Sequence, residues 1–116
     1  MKRIITKRIY EDAAENDGYR LLVDRIWPRG VSKEKAQLDD WNKEIAPTNE
    51  LRKWFGHKPE RFSEFKQRYV EELKAQEEEL KKIKHVADKQ QVCLLYGAKD
   101  KEYNQAIVLK EVIESL

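Results

Sequence analysis

Three short apolar segments predict β-strands at residues 3–8, 20–25 and 92–96. Each is rich in Ile, Val or Leu, and the turn sequence Asn16-Asp17-Gly18 separates the first two. Residues 92–96 are apolar without alternation, which is typical of a parallel strand whose two faces are both covered. Residues 38–45 fit a strand and a helix equally well, and the pattern leaves that choice open.

Longer segments with apolar residues three and four positions apart predict helices. Thr48 is a good N-cap for a helix over residues 49–55, and Gly56 suits a left-handed cap at its C-terminus. Another helical segment follows Pro59 and continues to residue 85. As one straight helix it would measure about 39 Å, so we expect a bend or break near residues 75–77 to keep it on a compact core. A last apolar helix is predicted at about residues 102–116.

Strands that alternate with helices predict an α/β fold. We expect a small single-domain sandwich over residues 1–116, with a mostly parallel sheet of three to four strands covered by helices. No apolar stretch approaches the roughly 18 residues of a membrane-spanning helix, and the first ten residues lack the apolar run of a secretory signal. We therefore expect a cytoplasmic protein with no membrane partner. The sequence leaves its oligomeric state open.

Charge and cysteine content narrow the possible functions. The chain has 24 Lys and Arg against 22 Asp and Glu, so its net charge is only +2 and its charged faces are mixed in sign. Cys93 is the only cysteine, which excludes an internal disulfide and an all-cysteine metal site, and we interpret it as a packing residue. The four glycines are isolated and form no phosphate-binding fingerprint. We predict no metal site and no cofactor.

The segment after the second predicted strand is the first candidate for chemistry. Ligands of open α/β sheets bind beyond the carboxyl ends of the strands, where Asp24, Arg25, Trp27 and Arg29 are expected. Residues 25–35 contain four basic residues and one acidic residue. Two guanidinium groups on a stiff turn suit bidentate binding of phosphate or carboxylate. In the structural alternative, Arg25 pairs with an acidic residue and Trp27 fills the core.

The segment that follows residues 92–96 is the second candidate. Tyr96 ends the strand, Lys99 is a flexible cation, and Asp100 lies before the last helix. Asp100 suits an N-cap, and free N–H groups at that helix start would add to an anion site. Asn104, one turn further, is placed to face the same cleft.

The sequence ELRKWFGH contains a third patch, formed by Arg52, Trp54 and His57. Leu51 and Phe55 are spaced to pack inward, which turns Arg52 outward. A histidine just past a helix end is more often a capping or surface residue than a catalytic one.

Three segments resemble the YeaO-like proteins, a branch of a larger bacterial family of domains of unknown function. They are DGYRLLVDRIWPRG at residues 17–30, LRKWFGH at 51–57 with PERF after it, and LLYGAKDKEYNQA at 94–106. The resemblance covers nearly the whole chain and implies a small cytosolic α/β protein, without assigning an activity. Other branches of the larger family have Cys and Glu near the end of this strand and Cys-His-Arg at the next helix start. Here the corresponding residues are Tyr96, Ala98, Asn104, Gln105 and Ala106, so the resemblance transfers no thiol, imidazole or metal chemistry.

Three functions remain for this sequence. The first is binding of a small anionic, phosphate- or carboxylate-bearing ligand by Arg25, Arg29 and Lys99, with Trp27 or Tyr96 as a wall. The second is an enzyme that acts on such a ligand, with Asp24 or Asp100 as acid or base. The third is a weak nucleic-acid interaction module, for which a net charge of +2 gives little support.

Overall fold

A single sheet of four parallel strands organises residues 3–116, the part of the chain that the computed structural model describes. The strands are β1 (Ile4–Arg8), β2 (Tyr19–Leu22), β3 (Asp40–Trp41) and β4 (Val92–Tyr96), in the order β1-β4-β2-β3. β4 lies between β1 and β2 and pairs in parallel with both. The prediction of an α/β fold with a parallel sheet is confirmed.

Five α-helices lie within the described residues. They are α1 (Lys33–Ala36), α2 (Asn49–Phe55), α3 (Phe62–Leu73), α4 (Glu77–Lys89) and α5 (Gln105–Glu114). Short 3-10 turns occur at Glu15–Asp17, Pro59–Arg61 and Lys74–Gln76. None of the helices in this part of the chain has both the length and the apolar character needed to cross a membrane.

Both faces of β4 are buried, and different elements cover them. Val92, Leu94 and Tyr96 belong to the larger buried cluster, which also takes side chains from α2, α3, α4 and α5. Cys93 and Leu95 point to the opposite face and belong to a smaller cluster that is closed by α1 and the loop before it. Because water is excluded from both faces, the strand has no polar position, which explains its unbroken apolar run.

Local sequence signals define α2 and the bend after α3. The Thr48 hydroxyl accepts a hydrogen bond from the Leu51 amide at 3.2 Å, and Gly56 adopts a left-handed conformation with φ of 54°. The 3-10 turn at Lys74–Gln76 separates α3 from α4. The predicted N-cap, the glycine cap and the break in the long helical segment are therefore confirmed.

One predicted boundary near the sheet is wrong, and the structure decides a choice that the sequence left open at residues 38–45. The second strand ends at Leu22 rather than at residue 25, because beyond it the backbone turns away after a last hydrogen bond from the Val23 amide to the Leu95 carbonyl. Residues 38–45 contain only the short strand β3, followed by irregular backbone. Asp24 and Arg25 consequently lie outside the sheet.

The predicted start of the last helix is also wrong. Asn104 is the N-cap of α5, since its Oδ1 atom accepts a hydrogen bond from the Ile107 amide at 3.2 Å. The Asp100 carboxylate instead accepts hydrogen bonds from the Glu102 and Tyr103 amides, at 2.9 and 3.0 Å. Asp100 therefore stabilises a turn before the helix and does not cap the helix itself.

A buried carboxylate fixes the connection between β1 and β2. Asp17 is 4% exposed and forms ion pairs with Arg20 at 2.5 Å and with Lys7 at 3.1 Å. Arg20 also donates hydrogen bonds to the Ala36 carbonyl, at 2.8 Å from Nη2 and 3.1 Å from Nε. One guanidinium thus joins β2, the 3-10 turn and α1.

We expect Asp17→Asn to lower the free energy of unfolding by about 3 kcal/mol, because it leaves the buried Arg20 without its carboxylate. Urea denaturation at pH 7 measures this loss. Glu77→Gln is the control, since it removes an exposed ion pair with Lys81 and should cost less than about 1 kcal/mol. Similar small losses in both variants would contradict the role assigned to the buried carboxylate.

Candidate functional site

A cleft of about 320 Å³ opens beyond the carboxyl ends of β2 and β4. The loop after β2 lines it from Asp24 to Arg29, and Gly97 and Ala98 line it after β4. Pro47 and residues at the end of α2 contribute the remaining side. This is the position at which open α/β sheets bind ligands.

Asp24 connects the elements around the cleft. Its Oδ2 atom accepts a hydrogen bond from the Gly97 amide at 2.9 Å, and its Oδ1 atom accepts one from the Gln105 side chain. A Cβ atom on residue 97 would lie 2.8 Å from Asp24 Oδ2, so this close approach requires glycine. The Trp41 indole N–H donates to the Asp24 carbonyl at 2.7 Å. Asp24 thereby fixes the ends of β2, β3 and β4 relative to α5.

Burial makes the Asp24 carboxyl a weaker acid than usual. Removal from water raises its pKa to about 6, against an ordinary value of 3.8. The hydrogen bonds from Gly97 and Gln105, and the positive charge of Arg52, act in the opposite direction and limit the rise. The group is therefore mostly ionised at pH 7 but protonates in mildly acidic solution.

Arg25 is held by neutral acceptors. Its Nε atom donates to the Pro47 carbonyl at 2.8 Å, and its Nη2 atom donates to the Ala46 carbonyl at 3.1 Å. Among the ion pairs that residues 3–116 form, none includes Arg25. The guanidinium is thus fixed in position while its positive charge stays uncompensated by any described carboxylate.

Arg52 and Arg29 add two further cations to the cleft lining. Arg52 Nε is buried and has no hydrogen-bond partner in the described structure, and Nη2 reaches Asn49 Oδ1 only at 3.4 Å. The Arg29 side chain is exposed, and its carbonyl accepts a hydrogen bond from the Tyr10 hydroxyl at 2.8 Å. Within residues 3–116 neither arginine forms an ion pair.

Trp27 both packs and lines the cleft. Its indole N–H donates to the Val31 carbonyl at 2.7 Å, and its ring meets the Trp41 ring edge-to-face at 5.3 Å. It contacts the smaller buried cluster and also borders the cleft. The two interpretations of Trp27 are therefore compatible.

The residues expected after β4 lie outside the cleft lining. Tyr96 is 2% exposed and belongs to the larger buried cluster, so it forms no wall. Asn104 is 1% exposed, and its side-chain amide donates to the Asp100 carbonyl at 2.9 Å. Lys99 is exposed, and Asp100 is engaged by the turn before α5. The expectation that Lys99 shares a site with Arg25 and Arg29 is therefore wrong for the cleft lining, where the third cation is Arg52.

The three residues of the third sequence patch do not lie together in the structure. Arg52 and the exposed His57 line the cleft. The Trp54 ring instead lies between Arg61 and Arg68, whose guanidinium carbons are 5.3 and 4.3 Å from its centre. Trp54 therefore has no part in the cleft.

Gln105 and Gly97 are site residues that the sequence reasoning missed. Gln105 lies one position after the helix N-cap, where its side chain reaches Asp24 across 81 positions of the chain. Gly97 directly follows a fully buried strand, and an isolated glycine at that point is a signal of close backbone approach. The sequence therefore contains a signal for Gly97, but it contains no signal for the contact between Gln105 and Asp24.

Other titratable groups are placed for structure. Burial raises the pKa of the Cys93 thiol to about 11, so it stays protonated and unreactive at neutral pH, as suits a packing residue. In residues 3–116 no three His, Cys, Asp or Glu side chains lie close enough together to hold a metal ion.

Comparisons with known proteins identify the family. A family model described as the inactive DUF488-N3 subclade matches residues 3–116. The chain belongs to this subclade. It is 46% identical to the uncharacterized protein YeaO of Escherichia coli K12 over 110 residues, which are 95% of this chain and 96% of that protein. The resemblance to YeaO-like proteins is therefore confirmed.

Two mycobacterial proteins are also similar over a shorter segment. The uncharacterized proteins Mb3100c of Mycobacterium bovis and Rv3073c of Mycobacterium tuberculosis are each 52% identical over 71 residues. The aligned segment covers 61% of this chain and 60% of each relative. No solved structure matches the chain significantly.

The buried carboxyl predicts a pH dependence of stability. Because Asp24 binds its proton more tightly when folded, the free energy of unfolding should fall as pH rises from about 4 to 6, and then level off. An asparagine side chain does not titrate, so the free energy of unfolding of Asp24→Asn should not fall in this way. Relative to the parent it should rise by up to about 3 kcal/mol between pH 4 and 7. Urea denaturation of both proteins across this range measures the difference, and a difference independent of pH would contradict the assignment.

The contact between Gly97 and Asp24 predicts a coupled pair. Gly97→Ala should destabilise the protein by about 1–3 kcal/mol, because the added methyl group displaces the carboxylate. In an Asp24→Ser background the same change should cost less, since the shorter side chain leaves room for the methyl group. A double-mutant cycle by urea denaturation tests this, and purely additive losses would exclude the coupling.

Proposed function

We propose that the protein binds a small anionic ligand, bearing a phosphate or carboxylate group, in the cleft beyond β2 and β4. One observation carries the proposal: Arg25, Arg29 and Arg52 line the same cleft, and none has a carboxylate partner in the described part of the chain. The acidic side chain in the lining, Asp24, already accepts hydrogen bonds from Gly97 and Gln105. Three arginines against one carboxylate leave the lining with excess positive charge, which an incoming anion would balance.

The fixed guanidinium of Arg25 supports this proposal. Two backbone carbonyls orient the planar group without neutralising it, so little side-chain entropy is lost when a ligand binds. Guanidinium groups match the oxygen spacing of phosphates and carboxylates. The cleft thus offers a cation that is already in position.

The buried nitrogen of Arg52 supports it further. A buried N–H donor without an acceptor costs about 1–3 kcal/mol of stability. Arg52 Nε is such an atom within residues 3–116. A ligand oxygen accepting from the Arg52 group would recover part of this free energy on binding.

Binding is favoured over turnover for two reasons. Both Asp24 oxygens already accept hydrogen bonds from the protein, which lowers the basicity of the carboxylate and leaves only the remaining lone pairs for a substrate proton. The subclade is also described as inactive. The pKa of about 6 keeps Asp24 as an acid or base the second candidate, and loss of any turnover in Asp24→Asn would favour it.

The proposal includes a bacterial cytoplasmic setting, because the similar proteins are bacterial and the lone Cys93 forms no disulfide.

Removal of one cleft arginine should weaken anion binding at least tenfold, since a charge-assisted hydrogen bond contributes about 1.5–3 kcal/mol. Arg52→Gln and Arg29→Gln test this by isothermal titration calorimetry with inorganic phosphate and with succinate at low ionic strength. Arg68→Gln makes the same change of charge outside the cleft and should leave affinity within about twofold. Equal weakening in all three variants, or no binding by the parent protein, would overturn the proposal.

A further inference from the structure

We infer that the ligand carries its anionic group on a flat aromatic ring, so that it is an aromatic phosphate or carboxylate whose ring lies against Trp27 and Tyr10. The inference rests on the anion-binding function proposed above and specifies the class of ligand. It comes from the part of the cleft lining that the arginines do not occupy.

The cleft is too large and too apolar for a bare oxyanion. Its volume of about 320 Å³ falls in the range of about 300–1,000 Å³ typical of pockets for organic ligands. Tyr10, Ile26, Trp27 and Phe55 all contribute to the lining. Phe55 is already buried at 4% exposure, but inorganic phosphate held by the arginines would leave Tyr10, Ile26 and Trp27 in contact with water.

Apolar side chains at the cleft are left accessible to solvent. Ile26 is 57% exposed and Tyr10 is 37% exposed, although both are large hydrophobic residues. Single exposed apolar residues are ordinary, but these two border one cleft together with Trp27. A ligand ring would cover them and remove apolar surface from water.

The polar atoms of the two aromatic residues are already used. The Trp27 indole N–H donates to the Val31 carbonyl at 2.7 Å, and the Tyr10 hydroxyl donates to the Arg29 carbonyl at 2.8 Å. The Arg8 guanidinium lies over one face of the Tyr10 ring, 4.9 Å from its centre, so the surfaces left for a ligand are the other face of Tyr10 and the ring of Trp27. Neither ring offers a free N–H or O–H donor. That favours a ring over a sugar or another polyhydroxylated group, which would need hydrogen-bond partners.

The same bonds also hold both rings in place before a ligand arrives. Trp27 is further fixed by its edge-to-face contact with Trp41. Stacking on a preformed aromatic surface requires little loss of side-chain freedom. Arginine side chains near such rings add attraction, since a guanidinium group stacks on an aromatic face.

Titrations with three phosphate monoesters of equal charge test the inference. Phenyl phosphate should bind about tenfold more tightly than methyl phosphate, because only the former covers the apolar surface. Cyclohexyl phosphate, similar in size to phenyl phosphate but not flat, should bind more weakly than phenyl phosphate. Benzoate in a parallel titration distinguishes an aromatic carboxylate from an aromatic phosphate as the preferred ligand.

Nitrogen–proton correlation spectra locate the ring without any substitution. The chain has three tryptophans, so its three indole N–H signals report on Trp27, on its ring partner Trp41, and on the distant Trp54. Phenyl phosphate should shift the Trp27 signal strongly and leave the Trp54 signal unmoved, since Trp54 lies outside the cleft lining. A shift confined to Trp54 would overturn the inference.

A matched pair of tyrosine variants completes the test. Tyr10→Ala should weaken phenyl phosphate binding about fivefold more than it weakens inorganic phosphate binding, since both ligands sense the lost hydrogen bond to Arg29 but only the ester loses the aromatic contact. Tyr103→Ala removes a tyrosine of similar exposure, 39%, that does not line the cleft, and should change neither affinity.

The two proposals fail in different ways. If inorganic phosphate binds through the arginines but the phenyl, cyclohexyl and methyl esters bind equally well, the aromatic inference is overturned and anion binding stands. If the arginine variants leave all these affinities unchanged, anion binding in this cleft is overturned as well.

Discussion

The hydrogen bond from the Gly97 amide to the Asp24 carboxylate is the contact on which the site depends. β2 and β4 are parallel neighbours, so the residues that follow them emerge side by side. A bond between those residues fixes how the two loops diverge, and glycine is required because a Cβ atom would collide with the carboxylate. The loop after β2, with its two arginines, is thereby held in one position over the sheet.

The charged groups around that bond make the cleft positive. Asp24 directs its oxygens to Gly97 and Gln105, and it attracts Arg52 without forming an ion-pair contact with it. Three arginines thus face one carboxylate in the cleft lining, which leaves excess positive charge. Arg25 is similarly oriented by carbonyl oxygens, which carry no net charge. The fold therefore uses hydrogen bonds to place cations without neutralising them. An internal salt bridge would have placed them equally well but left no attraction for a ligand.

Local patterns predicted those parts of the structure that local forces determine. The uninterrupted apolar run of β4, the Thr48 and Gly56 caps of α2 and the bend after Leu73 all follow from neighbouring residues. The loop at residues 24–29 was recognised because strand ends in α/β sheets carry function.

The remaining features depend on contacts between distant residues. Asp100 and Asn104 are both good N-cap residue types, and only the burial of Asn104 decides between them. Arg52 replaces Lys99 beside Arg25 because α2 packs toward the cleft while Lys99 stays exposed, which no spacing in the sequence reveals. A hydrogen bond between positions 24 and 97 likewise leaves no periodic trace in the chain.

The central position of β4 also has a consequence for how the chain reaches its native state. Ile4 pairs with Val92, so β1 finds its partner 88 positions further along the chain. Among the described strands, only β2 and β3 pair without β4. Nascent helices such as α3 can form early, but closure of such long loops carries a high entropic barrier and slows two-state folding. During synthesis, β1 emerges from the ribosome long before its partner exists, and its unpaired backbone then remains open to mispairing with other chains.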